Sequence, residues 1–185
     1  MKILTTVLMF AAVAVCAATP AEQPKTYRFN GADYVAARHL VEGPIETNEF
    51  TRPGETLLNW RQLVTHQQVT TQATLEQMSF RADAYALHIQ AQLKRDAVAQ
   101  PTYWEMLYSG KEAAVFAVRF GPRDDYPAQQ MVALVMAAGP NTIHVLQWAV
   151  KEDPRNPGEY LTALESWKEL FNRQARAAVN AAVRQ

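Results

Sequence analysis

The sequence predicts an α+β domain in which a mainly antiparallel sheet of about six strands is covered by one long central helix and a C-terminal helix. Three observations predict it. Short apolar runs are separated by Gly- and Pro-bearing turns at Glu42-Gly43-Pro44, Ser109-Gly110-Lys111 and Gly139-Pro140-Asn141. Such links are too short for a parallel crossover, which takes roughly a dozen residues, so the strands they join pair antiparallel. The stretch Thr74–Ala97 instead carries apolar residues at three- and four-residue steps, the period of a helix with one buried face.

Tyr34–Val41 and Ile45–Thr51 read as a hairpin around Gly43-Pro44, and Arg52-Pro53-Gly54 closes its second strand. Thr56 can cap a short helix holding Leu57, Leu58 and Trp60. Leu63–Val69 turns toward strand character, softened by its Gln and His content. In the long helix Leu75, Met78, Ala82, Tyr85, Ile89 and either Gln92 or Leu93 share one face, while Arg81, His88 and Arg95 share another. Gln100-Pro101 ends it. Tyr103–Tyr108, Ala113–Phe120, Gln130–Ala138 and Thr142–Val150 are strand candidates. Alternation sends Phe116 and Val118 inward and Val115 outward, whereas Gln130–Ala138 is apolar enough for a strand covered on both faces. A terminal helix starts near Glu159, with Leu161, Leu164, either Trp167 or Lys168, and Phe171 as its core stripe.

The first residues read differently. Lys2, the apolar stretch Ile3–Ala14 and small residues at Ala17 and Ala18 form the pattern of a secretory signal peptide. The run falls short of the about 20 residues that span a bilayer. Residues 1–18 are therefore expected to be removed, 19–26 to form a flexible leader, and 27–185 to form one domain. Val13-Ala14-Val15-Cys16 resembles a bacterial lipobox only loosely, since Val15 stands where Gly, Ala or Ser is usual; lipid anchoring at Cys16 is the less favoured alternative to a soluble periplasmic protein. Cys16 is the one cysteine, so the processed domain is expected to hold by its apolar core alone. Lys and Arg total 18 against 18 Asp and Glu, which disfavours a nucleic-acid partner.

Motifs for chemistry are scarce. The four histidines, His39, His66, His88 and His144, form no HxH, HExxH or HxxxH spacing, so no metal is expected. His39 and His66 could meet across neighbouring strands, and His66 could approach His88. Ser79, Ser109 and Ser166 lie on no GxSxG elbow. With no Walker loop and no dinucleotide fingerprint, no cofactor is expected and no catalytic residue can be assigned. The residues offered as a binding surface are Arg81, His88 and Arg95 on the long helix, together with Tyr103, Trp104 and Trp148 from a wider aromatic set that also includes Tyr108, Tyr160 and Trp167.

The segment Asn48-Glu49-Phe50-Thr51-Arg52-Pro53-Gly54-Glu55-Thr56-Leu57-Leu58-Asn59-Trp60 resembles one found in small uncharacterised exported bacterial proteins. The order of elements is similar to that of the PsbP-like α/β/α sandwich. The resemblance implies a fold and transfers no catalytic residue. Glu49 and Glu55 could form a carboxylate pair for acid–base work, although turn chemistry alone explains their spacing. The expectation is an exported, non-catalytic envelope protein that binds a protein partner or a small ligand. A hydrolase with dispersed His and carboxylate residues, or an apolar-ligand carrier, is the alternative.

Overall fold

The computed structural model describes residues 26–70, 81–95, 101–122, 127–138, 141–153, 155 and 165–176. Eight strands form one sheet: β1 Thr26–Phe29, β2 Ala32–Glu42, β3 Ile45–Thr51, β4 Gln62–Thr70, β5 Pro101–Ser109, β6 Ala113–Phe120, β7 Gln129–Ala137 and β8 Thr142–Lys151. Among the described residues two short helices accompany them, α1 Ala82–Arg95 and α2 over 165–176. The strand order is β1-β2-β3-β4-β8-β7-β6-β5, and every neighbouring pair is antiparallel. Two four-stranded meanders are thus joined where β4 meets β8.

This corrects the expected sheet of about six strands under one long central helix. Among the described residues the fold is mostly sheet, with eight strands, and the two helices are short. The first extra strand is β1, which reaches back to Thr26. It forms a hairpin with β2 through Asn30-Gly31, both at positive φ (46° and 79°), the pairing that a tight hairpin loop demands. The second is β4, whose polar composition hid a full central strand.

The long helix is also revised. Residues 71–80 and 96–100 lie outside the described residues, and Arg81 is not helical. The first turn of α1 is fixed from elsewhere: the Ala82 and Asp83 amides donate to the Lys111 and Gly110 carbonyls at 2.7 and 3.1 Å. Those donors have no partner inside a helix, and the β5–β6 turn supplies one. The short helix expected after Thr56 is a turn. Thr56 does accept from the Leu58 amide at 3.3 Å, as a cap would. The Arg61 amide, however, donates to the Glu55 carboxylate at 3.0 Å, so no second turn propagates.

Each face of the sheet has its own apolar cluster. On one face, Ala82, Ala86, Ile89 and Leu93 of α1 pack on Phe116, Val118, Met131, Val135 and Val145. On the other, Trp167, Phe171 and Ala175 of α2 pack on Tyr34, Val64, Val115, Leu134 and Trp148. Val115, expected outward, is fully buried because α2 covers the face opposite α1. β7 is buried on both faces, as its unbroken apolar run requires.

Candidate functional site

The described residues of α2 pack on only part of their face of the sheet. The cluster they join includes Phe50, Val64, Trp148 and Val150. Beyond these, toward the β2–β3 turn, the same face carries His39, Val41, Glu46, Asn48, His66, Gln68 and His144. His39 and Val41 are exposed and the rest are half-buried. This open quarter of the sheet is the candidate site.

A β-bulge builds it. In β2 the register slips between Ala36 and Arg38, so that Arg38 pairs with Glu49 and His39 with Asn48. One extra residue reverses the alternation of the strand. Arg38 is thereby turned to the α1 face and His39 to the open face. On the α1 face, Arg38 Nε donates to Glu49 Oε2 at 2.6 Å, among buried Thr47, Thr65, Gln67 and Gln147. On the open face, His39 Nδ1 lies 2.8 Å from Asn48 Oδ1 and 3.8 Å from Glu46 Oε1. Asn48 Nδ2 donates to Glu46 Oε1 at 3.3 Å.

One strand further on, His66 Nε2 and His144 Nδ1 are 3.1 Å apart. The ring planes are within 10° of each other with centroids 5.3 Å apart. A nitrogen separation so much shorter than the centroid separation sets the rings nearly edge to edge in a common plane. The contact is an in-plane N–H···N hydrogen bond. Burial, then the neighbouring His144, hold the His66 pKa below its ordinary value of 6.5, and Glu46 opposes them.

The expected meetings of histidines did not occur. Asn48 stands between His39 and His66 in the strand register, and His88 lies on α1, where Gln92 Nε2 is 2.9 Å from its Nε2. His66 meets His144 instead, 78 residues away in sequence.

The residues offered as a binding surface are distributed over both faces. Arg81 forms a two-pronged ion pair with Asp83 at 2.9 and 2.6 Å, and Arg95 is exposed in the last turn of α1. Trp104 packs with the α1 cluster, its ring 4.2 Å from that of Phe116. Tyr103, one residue earlier and so on the opposite face, is half exposed and donates to Glu105 at 2.8 Å. Trp148 is fully buried, stacked on Trp167 at 5.0 Å, with Nε1 donating to Tyr34 Oη at 3.3 Å. It is core. Tyr108 joins the same cluster, and Tyr160 lies outside the described residues.

Glu49 and Glu55 do not pair: the first is held by Arg38 and the second by the Arg61 amide. Ser166 accepts from Asn30 Nδ2 at 2.8 Å. Among the described residues no group of three or more His, Cys, Asp or Glu side chains could hold a metal ion, and no helix is long and apolar enough to cross a membrane. Comparison with protein-family models, with curated proteins and with solved structures found no match.

Proposed function

We propose that the chain is an exported, non-catalytic envelope protein that binds a protein partner or a small ligand through the open quarter of its sheet. Export rests on the signal-like pattern of residues 1–18. Binding rests on one observation: beyond the sheet residues that pack on the described part of α2, the same face carries a band of half-buried Glu46, Asn48, His66, Gln68 and His144 beside exposed His39 and Val41. Side chains in this band already hold one another in place. A ligand meeting them therefore loses little free energy to their ordering. The resemblance of the Asn48–Trp60 segment to one in small exported bacterial proteins agrees with this reading.

Passing envelope fractions over the immobilised domain tests it. The wild type is expected to retain a stoichiometric protein or small molecule, and Asn48→Arg, at the centre of the band, to lose it. Equal retention by both, or none by either, sinks the reading.

A second reading has its own observation. Two histidines in contact, with a carboxylate on the same face, are the kind of set that moves protons in a hydrolase. Ester or phosphoester hydrolysis abolished by His66→Ala would decide for catalysis. The carrier reading loses its main support, because Trp104, Trp148 and Trp167 pack against core rings.

A further inference from the structure

We propose that the His66–His144 contact is a proton-responsive latch across the seam between the two meanders, closed while the pair carries at most one added proton and open once it carries two. The seam is the β4–β8 ladder, the pairing that joins β1–β4 to β5–β8 in the sheet. His66 is registered with Leu146, and His144 with Gln68, so the histidines meet diagonally across it.

The argument is one of lone pairs. A neutral imidazole has one N–H donor and one acceptor nitrogen, whereas an imidazolium has two donors and no acceptor. With His66 Nε2 facing His144 Nδ1 at 3.1 Å, one of these nitrogens donates and the other accepts. A first added proton leaves the bond intact, because the charged ring still donates to the neutral one. A second removes the last lone pair and sets two positive rings edge to edge. The bond then becomes a repulsion and the rings separate.

Neighbouring groups decide how far the opening spreads. On β3, Glu46 faces the pair and attracts a charged His66. On β2, His39 already lies within 3.8 Å of Glu46. Met136 of β7, registered with His144, is apolar, as are the α2 residues that pack on this face, Trp167, Phe171 and Ala175. Acidification thus turns the open quarter from a nearly neutral face with one carboxylate into a cationic one. The backbone ladder and the core contacts of Val64 and Trp148 remain, so the change is local to the seam. The site is that of the proposed binding function, but the latch is a property of the unliganded protein, and either idea can fail while the other stands.

Nitrogen-15 NMR of the histidine rings in the purified chain tests it. At neutral pH a scalar coupling across the hydrogen bond is expected between His66 and His144, lost on acidification. In His144→Gln the His66 titration midpoint is expected to shift upward, toward 6.5. Absence of the inter-ring coupling in the wild type, or a His66 midpoint that does not move in His144→Gln, overturns the latch. Should that variant fail to fold, the wild-type coupling and its loss with acid decide alone.

Discussion

Tyr34 and Trp148 show how single side chains tie strands together across the sheet. Trp148 Nε1 donates to Tyr34 Oη at 3.3 Å, and Tyr34 Oη donates onward to Gln62 Oε1 at 2.9 Å. Both rings are buried, and burial raises the Tyr34 pKa above its ordinary value. Tyr34→Phe keeps the ring but leaves the indole N–H without an acceptor, which costs about 1–3 kcal/mol in a buried site. Urea unfolding measures it, and a loss within about 0.3 kcal/mol would mean that the two bonds contribute nothing net. The Arg38–Glu49 pair obeys a different rule. Glu49 is only 6 % exposed, so Arg38→Met strands a buried carboxylate. Removing one partner of a buried pair costs about 3–5 kcal/mol, and roughly 2–3 is expected here because Arg38 retains some exposure. Adding Glu49→Leu should restore most of that loss. A double mutant as unstable as the single one would show that packing, and not the orphaned charge, was responsible.

Elements were legible in the sequence wherever their cause was local. The β5–β8 meander follows from turn residues and apolar runs, and α1 from its 3.6-residue period. Asn30-Gly31 is also a local signal, a hairpin-loop dipeptide that marks the β1–β2 turn, yet the strands expected from the sequence begin only at Tyr34 and miss β1. The rest was set at a distance. β4 looked soft because Gln62, His66, Gln67 and Gln68 are polar, but Gln62, His66 and Gln67 find their partners Tyr34, His144, Thr47 and Gln147 on other strands. The start of α1 is another case, since its first amides are anchored to the β5–β6 turn. Asp83 completes that start by accepting from the Ala84 amide at 2.7 Å while pairing with Arg81. Asp83→Ala should therefore destabilise the fold by about 1 kcal/mol, the usual cost of losing a helix-start carboxylate. Hydrogen exchange would localise the effect: faster exchange in α1, with β2–β4 unchanged, is expected. Uniform acceleration would mean that α1 and the sheet open as one unit.

At the scale of the whole molecule, a bulge and a seam decide what the chain presents to solvent, and neither has a sequence signature. The bulge in β2 assigns Arg38 and His39 to opposite faces, and the seam brings His66 to His144. The seam also makes stability depend on pH. Because the His66 pKa is lowered in the fold, the unfolded chain takes up the proton first as pH falls. Its contribution is fully present above the ordinary value of 6.5 and is lost as pH drops from there through the depressed folded value. The hydrogen bond from Arg81, above all, lowers the Asp83 carboxyl below its ordinary 3.8, and the sign is the same. Its share is lost only as pH falls below 3.8 toward that lower value. Two declines separated by a shallower stretch are therefore expected in unfolding free energy between about pH 8 and about pH 3. His66→Phe, which cannot take up a proton, should flatten the upper decline and leave the lower one, while Asp83→Ala should do the reverse. If the His66→Phe curve runs parallel to the wild type from pH 6.5 downward, proton uptake at the seam is not what weakens the protein in mild acid.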